Sequence, residues 1–186
     1  MFAQTQNELH NMKHMSILAV SLLALVACTP EKKQEADYSQ YVNPMIGTDF
    51  TGNTYPGAQV PFGMVQLSPD NGLPGWDRIS GYFYPDTTIA GFSHTHLSGT
   101  GAGDLYDISF MPVTRPYKEA PAPLGIYSTF SHNDEAASAG YYRVLLKDYN
   151  INVELTATER CGIQRYTFPE AEASVFLNLK KAMNWD

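Results

Sequence analysis

His94 and His96 stand two residues apart, a glycine run follows at Gly99, Gly101 and Gly103, and Asp104 closes the stretch. Parts of three different sites are present. His-x-His is a metal-ligand spacing, because in a strand the two rings project to the same side, and Asp104 or Asp107 could be a third ligand. A glycine run can cradle a phosphate, and a glycine-rich loop can carry a catalytic acid. The first reading lacks support elsewhere: His10, His14 and His132 are far off in sequence, and no second His or Cys cluster accompanies the pair. No metal ligand is assigned, and the histidines are expected to be hydrogen-bonded residues lining a pocket or an interface. A phosphate cradle needs a strand before the glycines and a helix after them, so that the helix N-terminus faces the anion. Here Asp104-Leu105-Tyr106-Asp107 leads into another strand-like run, which excludes that chemistry. The glycines are instead expected to permit a sharp turn or a close approach.

Two further stretches have site-like composition. Residues 43–58 are rich in Gly, Thr and Asn, including Asn53, and form a long connecting segment of the kind that often binds ligands. Trp76 sits between Gly75 and the charged Asp77 and Arg78. A flat apolar ring beside hydrogen-bonding groups suits a sugar, although a tryptophan packed under a loop has the same sequence.

The elements that must position these residues read as β throughout. Residues 151–158 alternate apolar and polar, which predicts a half-buried strand with Ile151, Val153, Leu155 and Ala157 inward and Glu154 outward. Tyr142, Val144 and Leu146 alternate just before a turn at 147–150. Further strands are expected at 63–68, 81–84, 89–94, 108–113, 163–168 and 174–179. Turn signals separate them at 69–72, 85–86 and 115–116. No stretch after residue 28 has a helical period. Many short strands with frequent turns predict an all-β fold, an antiparallel β-sandwich of two sheets. Val175, Phe176, Leu177 and Leu179 form an apolar run that needs a neighbour. With Asn184-Trp185-Asp186 following at once, the sandwich is expected to be incomplete at its C-terminus.

Composition limits the partners. The formal net charge is −7 with 17% charged residues, which argues against nucleic acid, where a basic surface supplies much of the affinity. Residues 1–28 read as an export signal: Lys13 and His14, an apolar stretch over 17–26, then Leu25-Val26-Ala27-Cys28, which resembles a lipobox. Ten residues, apolar apart from Ser21, are too few to span a bilayer as a helix. Cys28 is the expected lipidation site, and residues 29–40 the polar tether. The expected location is outside the cytoplasm, as a membrane-anchored lipoprotein in the periplasm or on the cell surface. With Cys28 lipidated, Cys161 has no partner, so no disulfide framework is available.

Three motifs taken together are more specific. VNPMIGTDFTGNTYPGAQVPFGMVQLSPD, GWDRISGYFY and GFSHTHLSGTGAGDLYDISFMPV occur in order within residues 41–186. They resemble the N-terminal domain of glycoside hydrolase family 92, a family of calcium-dependent, exo-acting, inverting α-mannosidases. The resemblance implies a β-sandwich of the galactose-mutarotase-like supersandwich type over residues 41–186. It also implies a second domain, an (α/α)6 helical barrel, that carries the catalytic acid, the base and the calcium ligands and is the intramolecular partner of the sandwich. No catalytic residue is then expected in these 186 residues. By motif, Trp76 and Asp77 would line the pocket for terminal mannose, while Asn53, His94, His96 and Asp104 would shape the pocket wall or domain junction. The implied ligands are mannose-containing glycans.

Two other readings from the residues remain: a free-standing glycan-binding lipoprotein using the sandwich alone, and a metal-dependent hydrolase built on His94 and His96. The localisation is testable by itself. Changing Cys28 to Ala is expected to move the exported product from the membrane fraction to the soluble fraction, because the lipid is the anchor.

Overall fold

The computed structural model describes residues 36–99, 105–170 and 172–179. The chain divides after Asp37, and Tyr38–Asp186 forms one compact unit. Among the described residues there are strands and short 3-10 turns but no α-helix. The strands are β1 (Ser68–Asp70), β2 (Thr88–Ile89), β3 (Gly91–Ser93), β4 (Ser109–Thr114), β5 (Glu119–Ala120), β6 (Gly125–Ile126), β7 (Ser128–Thr129), β8 (Glu135–Ser138), β9 (Tyr141–Leu146), β10 (Ile151–Ala157), β11 (Gly162–Thr167) and β12 (Ala173–Asn178). One sheet has the order β1-β3-β4-β12 and the other β11-β10-β9-β8, with two short ribbons, β2-β7 and β5-β6, beside them. Every pairing is antiparallel.

The β9–β10 hairpin shows why this sequence folds as it does. Ile151 pairs with Leu146, Val153 with Val144 and Leu155 with Tyr142. All six side chains are buried. A slip of one residue would turn this whole set to solvent, so burial fixes the register. The connecting turn ends at Asn150 with φ 51°, a left-handed conformation that asparagine tolerates better than most residues. Phe92, Met111 and Val113 of the first sheet join these six in one apolar cluster with Leu67, Tyr82 and Ile89. The core therefore lies between two sheets, which makes the domain an antiparallel β-sandwich. Gly162 lets the layers close: a Cβ there would overlap Leu67 and lie 3.0 Å from the His94 ring.

Several expected elements are corrected. Residues 81–84 form no strand, because Asn71 takes the Phe83 amide with its side chain at 2.5 Å and the segment runs as a loop. Of 63–68 only Ser68 belongs to a regular strand, the rest contributing a single bridge between Ala58 and Leu67. The turn expected at 69–72 is half strand, since Pro69 pairs with Phe92 and Asp70 with Gly91. Strand β3 ends at Ser93, so His94 and His96 do not project from a strand. Glu154 is not fully outward. Its side chain is only 15% exposed, covered by Arg165 and Tyr141, whose hydrogen bonds hold its carboxyl down at about 2. Strands β5 to β8 had no sequence signal. Among the described residues β12 is the outermost strand of its sheet, with Val175 and Leu177 exposed.

Leu155 is wholly buried at the centre of this packing. Leu155→Ala is expected to lower the unfolding free energy by about 2–5 kcal/mol in a urea titration. Thr167→Ala, on the exposed side of β11, is expected to stay within about 0.5 kcal/mol.

Candidate functional site

Two turns and one buried cluster make up the loop region that carries the site-like motifs. His96 is at the centre of the cluster, with its side chain fully enclosed. Its Nε2 lies 2.8 Å from Asp70 Oδ1 and 3.2 Å from Ser93 Oγ, and its Nδ1 lies 2.8 Å from the Gln66 carbonyl oxygen. Ser93 Oγ also donates to Asp70 Oδ1 at 3.1 Å. Tyr55 and Tyr106 close over the imidazole at centroid distances of 5.1 and 5.5 Å. Burial pushes the Tyr55 phenol up to about 12, so it stays a neutral donor, here to Gln59 Oε1. Gly81, at φ 89°, backs the cluster: a Cβ there would meet the Tyr106 ring at 2.7 Å and Asp70 Oδ1 at 2.9 Å.

Serine, histidine and aspartate together raise the question of a hydrolytic triad. The geometry rejects it. In a triad the nucleophile and the acid sit on opposite ring nitrogens. Here Ser93 and Asp70 share Nε2, and Ser93 is buried. The cluster ties loops together rather than attacking substrate. His94 is not part of it. Its Nδ1 takes the Ile108 carbonyl at 3.1 Å, with Gln164 at 3.5 Å, and the two histidines share no hydrogen-bond partner. Among the described residues no group of three or more His, Cys, Asp or Glu could hold a metal ion.

Trp76 and Asp77 occupy a separate 3-10 turn, Trp76–Arg78. Gly75 before it has φ 149°, which a side chain would strain. The turn is pinned from behind by Arg78, whose Nε and Nη2 donate to Asp86 at 2.6 and 2.5 Å and whose guanidinium lies 4.8 Å above the Phe83 ring. Donating to the Asp86 carboxylate raises the Arg78 pKa above its ordinary value. So anchored, Trp76 remains 52% exposed and presents an apolar ring at the surface. Asn53 lies in the long loop at φ 49°, buried, with its carbonyl accepting from the Gly99 amide at 2.7 Å. That bond joins the 43–58 stretch to the start of the glycine run. Asp104 and Cys28 lie outside the described residues.

The profile of the glycosyl hydrolase family 92 N-terminal domain matches residues 41–186. The chain belongs to this family. Among solved structures it is 46% identical to a family 92 α-mannosidase from Bacteroides thetaiotaomicron bound to mannoimidazole, covering 76% of this chain and 19% of that one at a TM-score of 0.71. An inverting family 92 mannosidase from the same species is 31% identical, over 78% of this chain and 20% of that chain, with a TM-score of 0.64. A protein described as an uncharacterized secreted glycosidase from Arthroderma benhamiae is 26% identical over 87% of this chain and 21% of its own length. The chain thus spans about a fifth of the length of these relatives.

Within this family 92 domain, backbone strain gathers in the motif loops. Phe50, Asn53, Phe62, Leu105, Tyr106 and Ile108 all have positive φ. Such residues persist only where surrounding contacts over-determine them, and they cluster at functional sites. Phenylalanine, leucine and isoleucine give no sequence hint of this conformation. Asp70 also escaped notice as a site residue, because Pro69-Asp70-Asn71-Gly72 reads as a turn and its partner His96 is 26 residues away.

Gly81→Ala tests the central cluster. Left-handed backbone and contact with both Tyr106 and Asp70 are expected to cost about 2 kcal/mol or more, read from the urea midpoint.

Proposed function

We propose that this chain supplies the N-terminal domain of an exported α-mannosidase that removes terminal α-mannose from glycans with inversion. The observation that carries this is the 46% identity, over 76% of this chain, to a mannosidase solved with mannoimidazole. Trp76 is the wall for the terminal sugar. Its exposed ring offers an apolar face, and Asp77 beside it offers an acceptor for a hydroxyl. The Arg78–Asp86 pair supports this role, since a ring that must stack on a sugar needs a fixed turn beneath it.

Inverting hydrolysis needs a positioned acid and a positioned base with a water between base and sugar. In this proposal both come from a separate helical domain, as do the calcium ligands. Among the described residues, no group of three or more His, Cys, Asp or Glu is placed to hold that ion. What these residues do is bind one face of the sugar and exclude water from that side. Ile46, Phe50, Phe62, Met64 and Leu97 are exposed on the loops that carry the motifs. They are the surface on which a helical domain would close the pocket, with Asn53, His94 and His96 behind or within it. The N-terminal lipid on Cys28 completes the proposal and would hold the enzyme at a membrane outside the cytoplasm.

The test is an assay of the 29–186 segment with calcium on aryl α-mannosides, beside a full-length relative. No turnover is expected from the segment. Turnover within about tenfold of the relative, abolished by changing an acid in the segment, would put the catalytic groups in this segment and overturn the proposal. In a chimera carrying a relative's helical domain, Trp76→Ala is expected to lower kcat/KM by at least about tenfold.

A further inference from the structure

Tyr84 is an exposed aromatic ring that the apolar core does not use. It is 38% exposed, and the His132 imidazole lies against one face of it, with ring centroids 3.9 Å apart and planes 7° from parallel. A parallel stack covers one face of a ring and leaves the opposite face whole. His94 and His96 meet rings differently, at 64° to Phe110 and 80° to Tyr106. Among the described residues no second ring pairs with Tyr84.

The plate behind Tyr84 is rigid. His132 Nδ1 lies 2.6 Å from Glu135 Oε2, and its Nε2 lies 2.8 Å from the Tyr84 carbonyl oxygen. Phe130 stands perpendicular to the imidazole at 5.2 Å. The Glu135 side chain is fully buried and accepts from Tyr82 at 3.0 Å and Tyr142 at 2.5 Å. On the other side the Tyr84 amide donates to the Thr48 carbonyl at 2.8 Å. Both main-chain polar groups of Tyr84 are therefore engaged, and its ring is fixed while still open to water. A ring already fixed loses little further freedom when a ligand stacks on it, which is what a weakly bound ligand requires.

The neighbouring residues select the ligand. Thr87 on the same loop, and Asn133 and Asp134 on the turn that carries His132, are exposed. A single ring among hydroxyl, amide and carboxylate groups is not the charge-depleted apolar area that a protein partner needs. It matches a pyranose, which has an apolar C–H face and a rim of hydroxyls. We propose that Tyr84 is a carbohydrate-stacking platform that takes the C–H face of a pyranose on the side opposite His132, with Asn133 and Asp134 as hydrogen-bonding groups at its edge. The turn over 83–86 carries Tyr84 and also Asp86, the anchor of the Trp76 turn, so one segment sets the backbone beneath both rings. The domain then offers a glycan two rings rather than one. The choice of mannose as the sugar rests on the function proposed above, whereas the stacking geometry does not.

Proton–carbon NMR of the aromatic rings in the full chain tests this. Methyl α-mannoside, an α-mannobiose and methyl β-glucoside are each titrated to about 50 mM, because one stacked ring gives affinity no tighter than millimolar. The Tyr84 ring signals are expected to shift saturably with the mannobiose, while those of Tyr117, whose ring packs against Phe176, stay unmoved. Tyr84→Ala is expected to weaken mannobiose binding at least about fivefold, read from saturation transfer to the sugar, and Tyr84→Phe, which keeps the face, to stay within about twofold. A Tyr84 response with a silent Trp76 supports the platform and refutes the wall assigned to Trp76. A Trp76 response with a silent Tyr84 does the reverse. A shift with the glucoside alone supports the platform and refutes the mannose. A Tyr84 ring unmoved by all three sugars in the unaltered chain would overturn the proposal, whether or not the variants fold. So would unchanged binding in a folded Tyr84→Ala.

Discussion

The buried Asp70 carboxylate is the point on which the loop end of this domain depends. Strand β1 delivers it, β3 delivers Ser93, β4 delivers Ser109, and the chain leaving β3 returns His96 to it. A carboxylate taken out of water must be hydrogen-bonded and compensated, and leaving one partner out costs far more than the contact yields when complete. The three strands and the following loop are therefore bound to one arrangement. Gly81 belongs to the same constraint, because only a residue without a side chain fits between Tyr106 and Asp70.

A similar solution recurs on the neighbouring side. Glu135 collects Tyr82, Tyr142 and His132, and His132 passes the restraint on to Tyr84. Burial first, and then the charge of Glu135, pushes the Tyr82 and Tyr142 phenols well up, so both stay neutral donors to the carboxylate. Between these polar centres the sandwich interior is apolar, filled by side chains from both sheets. Apolar packing supplies most of the driving force but tolerates small shifts. The polar centres tolerate few, and they lie beneath the loops whose shape matters most.

The turn bearing Trp76 stands outside both centres and is held differently, by a charged pair partly open to solvent. That suits a ring that must stay exposed while its backbone is fixed. Ile46, Phe50, Phe62, Met64 and Leu97 are also exposed on the loops that carry the motifs, and the chain spans 19% to 21% of the length of its relatives.

The amino-acid sequence by itself determined the sandwich, because period-two alternation at 142–146 and 151–157 encodes which face is buried without reference to anything distant. It determined the family as well, through three motifs long enough to be specific, and it marked Trp76 as an aromatic ring beside charged residues. Short strands such as β5 to β8 were not legible, since two to four residues carry no period and form only against neighbours already in place. Nor could the sequence separate His94 from His96: an identical residue two positions apart implies one face, until the strand ends at Ser93 and their environments diverge. The partners that decide His96 are 26 and 30 residues away, and those of His132 are 3 and 48. Only the folded chain brings two acceptors to one imidazole, because that meeting depends on sheet pairing and loop closure rather than on any local preference.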